Sequence, residues 1–269
     1  MTMRLTSISI YPIKGTRAIA LQEAEVRTRG LFSDRRWLVV DESGRFITQR
    51  THPRIGLIST TLRDNGDLIV NAPGMEPISV AARGSEVRVA VTVWDDTIQA
   101  ARVSPEADRW FTQFLETQCQ LVFMDPIALR PVAAQYGQPG DEVSFADAVP
   151  VLLANDASLT DLNRRLAQPL PMSRFRPNIT VDGAAPWEED TWKRLRVGDV
   201  EFEITHRCAR CVVTTIDQDT AEKAGDGEPL KTLATFRRDS GGVYFGQNLV
   251  PRSRGVIRVG DPVEILQRT

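Results

Sequence analysis

Glu86–Trp94 reads EVRVAVTVW, and this stretch decides the fold class. Val87, Val89, Val91 and Val93 alternate with Arg88, Ala90 and Thr92. A period of two sends alternate side chains to opposite faces, which predicts a half-buried strand. Working toward the N-terminus, the runs LTSISIYPI (5–13), RWLVVD (36–41), FITQR (46–50), LISTTL (57–62) and DLIVN (67–71) have the same β-rich character. Ser43-Gly44, Asn65-Gly66, Pro73-Gly74 and Asp95-Asp96 punctuate them as turns. An antiparallel β domain is expected over residues 1–124.

Toward the C-terminus, Ser104 offers an N-cap and Pro105 a first helical residue, and Ala107, Trp110, Phe111, Phe114 and Leu115 follow at helical spacing. Its aromatic stripe reads as packing. After QLVFM (120–124), a segment rich in Pro, Gly and polar residues, 125–147, marks a domain junction or a long surface excursion. A strand VPVLLA (149–154) follows, then a helix capped by Asn155 or Asp156 with Leu159, Leu162 and Leu166 on one face. Strands are expected at 178–183, 193–205 and 211–217, a short helix at 229–238, and closing strands near 243–250 and 256–266. The expected class is mainly β with peripheral helices (α+β), with a barrel-like second unit over 125–269 rather than a doubly wound parallel sheet.

The chain has 269 residues, room for one large domain or two modest ones at roughly 150 residues each. Lys and Arg number 33 against 35 Asp and Glu, a net charge of -2, so no global basic field draws nucleic acid or an anionic membrane. Any anion site must be local. The longest apolar run falls far short of the roughly 20 residues a spanning helix needs, and the first residues lack a continuous apolar segment of the secretory kind. Three cysteines are too few for a disulfide scaffold. A cytoplasmic protein with reduced thiols is the expectation.

Chemistry concentrates in HRCARCVVTTID (206–217). A thiol flanked by Arg207 and Arg210 sits in positive potential that favours its thiolate, the form that attacks electrophiles and ligates soft metals. Structural zinc would want four ligands, and only Cys119, His52 and His206 remain to supply them. A thioredoxin-like pair would open a helix, whereas VVTTI reads as a strand. Two small apolar side chains at a strand end are the plain structural alternative. In SRFRPNI (173–179), Arg174 and Arg176 at alternate positions can share one side of an extended segment and fork onto phosphate or carboxylate oxygens. YPIKG (11–15) places Lys14 before a glycine, an ammonium beside backbone N–H groups or a plain turn. DRRWLVVD (34–41) opens a strand with Arg35 and Arg36. Asp217, ending a run, reads as a turn former before it reads as a general acid.

Taken in order, YPIKG, DRRWLVVD, DASLTDLN (156–163), RFRPNI, CARCVVTTID and FGQNLV (245–250) resemble the MOSC superfamily. The likeness is to its two-part form with an N-terminal β domain, the group of the mitochondrial amidoxime-reducing components and YcbX-like bacterial proteins. It implies an N-terminal antiparallel β domain followed by a MOSC-type β-barrel. It implies a molybdenum-molybdopterin cofactor, with Cys211 as metal ligand and catalytic residue and Cys208 as a structural neighbour. Cofactor contacts fall by the same likeness on Lys14, Gly15, Arg35, Arg176, Asn178, Ala209, Arg210 and Asn248. Relatives often carry Lys-Ser where this chain has Lys14-Gly15, so a hydroxyl contact is replaced by a backbone one.

The activity implied is reduction of N-hydroxylated compounds such as amidoximes, hydroxylamines or N-hydroxylated bases. The alternative is a carrier or sulfur-transfer protein for the cofactor, without reductase activity. A ferredoxin-type domain needs about four further cysteines, and none follow before Thr269. A separate electron-donor protein of ferredoxin, flavin or cytochrome type is therefore expected as partner, with no nucleic-acid or membrane partner.

Overall fold

The computed structural model describes residues 2–269. In the N-terminal part, Arg88–Val93 pairs antiparallel with Asp96–Arg102, which pairs with Cys119–Phe123, which pairs with Trp37–Asp41. Val91 and Val93 are buried while Arg88 and Ala90 are exposed, as the alternation requires. Val87 lies outside the strand and is exposed. The helix Pro105–Leu115 is capped by Ser104, whose Oγ accepts from the Ala107 amide at 3.1 Å. Phe111 and Phe114 pack with Trp37, Leu121 and the hairpin residues Leu68 and Val70 in one apolar cluster. The aromatic stripe is core.

One expected strand is absent: Phe46–Arg50 contributes only a single bridge, Val40 to Phe46, and then turns. The Thr48 carbonyl accepts from the amides of Thr51 at 3.1 Å and His52 at 2.8 Å, so local turn bonds replace a ladder and lead into the 3-10 helix Pro53–Leu57.

The larger sheet runs Val263–Arg268, Trp192–Val197, Val200–Ala209, Gly242–Pro251, Val151–Asn155, Ile179–Asp182, Arg4–Ile10, Ile19–Leu21. The first strand of the chain thus sits inside the sheet built by the C-terminal half, through Ile8 opposite Ile179. The fold is mainly β with peripheral helices, but the sheet does not close into a barrel. It curls until Arg4 bridges Pro262, with the Val263 amide on the Met3 carbonyl at 2.9 Å, the Leu5 amide on the Asp261 carbonyl at 3.0 Å and the Gly260 amide on the Leu5 carbonyl at 2.8 Å, a short contact rather than a strand pair. Gly246, at φ +80°, bends its strand over the neighbouring backbone, where a Cβ would stand 2.6 Å from the Leu153 carbonyl oxygen.

The expected strand 211–217 is instead a 3-10 turn, Val212–Thr215. Thr214 Oγ1 and Thr215 Oγ1 donate back to the carbonyls of Cys211 and Val212, at 3.0 and 2.7 Å, so the β-branched pair closes a turn on itself. The helix Asp156–Asn163 is capped by Asn155 and buries Leu162. Leu159 and Leu166 pack partly against the same cluster, around Phe175 and Phe245. Segment 125–150 carries no regular element. Among the described residues no helix is long and apolar enough to cross a membrane.

Candidate functional site

Register places the site. Leu152 stands opposite Asn248, Asn248 opposite His206, and the Asn178 amide donates to the Leu152 carbonyl at 2.8 Å. These four residues form one row across the sheet, and that row is a wall of a cavity of about 590 Å³. The turns after Ile10 and Leu31, the Thr48–Arg50 turn, the approach to Ile179 and the segment Cys208–Cys211 complete it. All nine residues singled out by resemblance line this cavity, although they come from distant parts of the chain.

Its cationic side is built around Tyr11. The Arg35 guanidinium lies 4.5 Å and the Arg176 guanidinium 4.2 Å from the ring centroid, so two cations share one buried tyrosine. Both arginines adopt left-handed backbone, at φ 49° and 55°. That conformation costs free energy and is held here by side-chain bonds. Arg35 Nη1 donates to Asp34 Oδ2 at 2.6 Å and to Asn178 Oδ1 at 3.1 Å, while Arg176 donates to Gln218 Oε1 at 2.9 Å and the Thr16 carbonyl at 2.7 Å. Burial lowers Arg176 to about 10, with nearby Arg35 also lowering it and Tyr11 opposing. For Arg35, burial is more than offset by Asp34 and Tyr11, and its pKa is raised. Lys14 donates to Asp147 Oδ1 at 2.6 Å, and burial still lowers its pKa. Gly15, at φ +93°, turns the chain and presents its carbonyl to Gln49 Nε2 at 2.7 Å.

Arg174 does not share this side. It belongs to the 3-10 turn Met172–Arg174, is 4% exposed, and faces Asp217 at 3.5 Å. Of the two, Arg176 alone reaches the cavity, because the 3-10 turn at Arg174 and left-handed backbone at Arg176 break the extended alternation. Arg36 also turns away, to the Met124 carbonyl. Asp217 accepts the amides of Asp219 and Thr220 at 2.8 and 3.0 Å, the turn-forming role expected of it.

The sulfur side differs from the expectation in its donors. Arg210 Nη1 donates to Cys208 Sγ at 2.9 Å and Nη2 to the Phe175 carbonyl at 2.6 Å. Arg207 pairs with Asp239 and lies over Tyr244. The cation at Cys211 is Arg50, with Nη2 to Sγ at 3.2 Å. Arg50 sits in a turn that has no local signature in sequence. Asp147 and Tyr136 are likewise brought to the cavity only by folding, and Trp94 stands behind them against Asp147 and Arg50. Among the described residues no three His, Cys, Asp or Glu side chains cluster in a way that could hold a metal.

Asn248 holds His206. Its Nδ2 donates to His206 Nε2 at 2.9 Å, which puts the ring proton on Nδ1, toward Thr205 Oγ1 at 2.8 Å. The ring stacks on Tyr136 with centroids 3.8 Å apart. Burial pushes the imidazole down to about 4. An unfolded histidine titrates near 6.5, so between pH 6.5 and 4 the unfolded chain binds the extra proton and stability falls as pH is lowered. His206→Gln is expected to remove that component. In urea melts the stability gap between wild type and variant should be widest at pH 7 and shrink toward pH 4.5; a constant gap would contradict it.

The MOSC N-terminal beta barrel domain matches residues 2–118, and the MOSC domain matches residues 140–264. Over 96% of its length the chain is 36% identical to mitochondrial amidoxime reducing component 2 of Rattus norvegicus, covering 82% of that protein. It is 34% identical to component 1 of Danio rerio and to component 1 of Homo sapiens, covering 83% and 81% of them. With both domains matched in order and this identity over nearly its full length, the chain belongs to the two-part MOSC family, alongside the mitochondrial amidoxime-reducing components.

Proposed function

We propose that the cavity holds a molybdopterin-bound molybdenum, ligated by Cys211, and that the protein reduces N-hydroxylated compounds with electrons from a separate donor protein. One observation carries this reading: a half-exposed soft thiol and three convergent cations, Lys14, Arg35 and Arg176, line a single cavity. The donor set fits such a group. A phosphate monoester asks for several cationic donors, and forked guanidinium groups match its oxygens. Lys14 and Arg176 are charged groups lowered by burial, so an incoming dianion restores what desolvation took from them. A thiolate suits the soft face of a metal that also carries sulfur from the pterin.

The bound group supplies two-electron redox chemistry, in which R–NHOH, two electrons and two protons give R–NH2 and water. The chain supplies the rest. Lys14, Arg35 and Arg176 grip the phosphate end. Asn178 keeps Arg35 in place through its Oδ1, and its Nδ2 ties to the Ser9 carbonyl at 3.1 Å. Neutral His206 and Tyr136 form an uncharged wall beside the row of Asn248.

The test is protein purified from a host competent to make the cofactor. Metal analysis should find molybdenum and pterin analysis its organic part. Reduced methyl viologen should support turnover of an amidoxime, while NADH alone should support none. Protein without molybdenum would overturn the reading. Molybdenum released to an acceptor enzyme, with no amidoxime turnover, would replace it with the carrier function.

A further inference from the structure

Arg50 reaches the cavity from the turn after Ile47, on the N-terminal side of the molecule, and donates from Nη2 to Cys211 Sγ at 3.2 Å. Its guanidinium lies 4.7 Å from the centroid of the Trp94 ring, in the turn between Arg88–Val93 and Asp96–Arg102. Trp94 is held in turn. Phe46 packs edge-on against it with centroids 5.3 Å apart, and its Nε1 donates to Asp147 Oδ1 at 3.1 Å, the atom that also accepts from Lys14. Trp94 has left-handed backbone at φ 57°, as the first residue of the two-residue hairpin turn between Val93 and Asp96, and its ring remains 45% exposed. Among the described residues, Arg50 makes no ion pair with a carboxylate, while Arg207, which lines the same cavity, pairs with Asp239. Its charge is therefore left for the sulfur and the ring.

The two thiols divide the local cations. Arg210, adjacent in sequence to Cys211, serves Cys208 and the Phe175 carbonyl instead. Cys211 receives its donor from Arg50, 161 residues away along the chain. We propose that Arg50, stacked on Trp94, is a positioning residue that orients the Cys211 sulfur and withdraws electron density from it, so that the N-terminal domain adjusts the metal ligand carried by the C-terminal one. This rests on the reading of Cys211 as metal ligand. An N–H bond to a ligating sulfur and a fixed positive charge beside it both raise the reduction potential of a metal–sulfur centre, and partners one step removed from a metal commonly change activity 10- to 100-fold.

The experiment compares wild type, Arg50→Met and Arg50→Lys as holoproteins, by molybdenum content, the electron paramagnetic resonance of the one-electron-reduced metal, and its midpoint potential. Arg50→Met is expected to shift the midpoint to more negative potential, change the resonance and lower kcat by about tenfold. Arg50→Lys, which restores the charge, should recover most of the midpoint shift. If Arg50→Met loses the metal, retention by Arg50→Lys supports the role and equal loss from both opposes it. Arg50→Met with the wild-type resonance and midpoint overturns this inference alone. Wild-type protein that carries no molybdenum overturns it together with the reading on which it rests.

Discussion

Cys211→Ser is expected to reduce molybdenum content and amidoxime turnover to background while the protein stays folded. Cys211 is half-exposed at the head of a 3-10 turn, and the polar partner of its sulfur is the exposed Arg50. No core packing depends on it, so the substitution should alter stability by no more than about 0.5 kcal/mol. Serine preserves shape but exchanges a soft sulfur for a hard, protonated oxygen, a poor ligand beside pterin sulfur. Cys208→Ser should keep at least partial activity, because the sulfur lost there is one that Arg210 holds from the next turn of chain. Metal analysis, the visible spectrum and a thermal melt decide the matter. Equal loss from both variants, accompanied by unfolding, would assign the pair a structural role instead.

Arg35→Ala should damage both stability and cofactor retention. Its partner Asp34 is buried, with its side chain 1% exposed, and also accepts the Tyr11 amide at 2.8 Å. Removing the cation leaves a buried carboxylate with its Tyr11 amide bond but without its ion-pair partner, a change that costs about 3–5 kcal/mol. Urea denaturation reads that cost directly. The double variant Arg35→Ala, Asp34→Asn should recover much of the stability, since the asparagine oxygen still accepts the Tyr11 amide and no charge is stranded. It should not recover pterin retention, because the phosphate contact is still missing. Recovery of both would show that Arg35 serves the fold alone.

The β class was legible because it rests on local periodicity. Alternating valines in 87–93 and a Ser-Pro cap ahead of an aromatic stripe are decided within a few residues, and Arg88–Val93 and Pro105–Leu115 follow them. Two runs misled for one physical reason. Phe46–Arg50 and Val212–Thr215 have strand-like composition, yet threonine hydroxyls and carbonyls in or beside each form turn bonds at short range, and the turn prevails over the ladder. Similarly, Arg174 and Arg176 share a side only on the premise of extended backbone, which the 3-10 turn Met172–Arg174 and the left-handed conformation at Arg176 remove.

Residue types in order determined by themselves that this chain is a two-part MOSC protein, because that identity is written in short contiguous motifs. Tertiary structure alone decided that the nine residues meet in one cavity, that Asn248 serves it by holding His206, and that the cation on Cys211 is Arg50 rather than the adjacent Arg210. Those facts depend on strand register and turn geometry, which set distances between residues far apart along the chain. Local patterning carries no record of such distances.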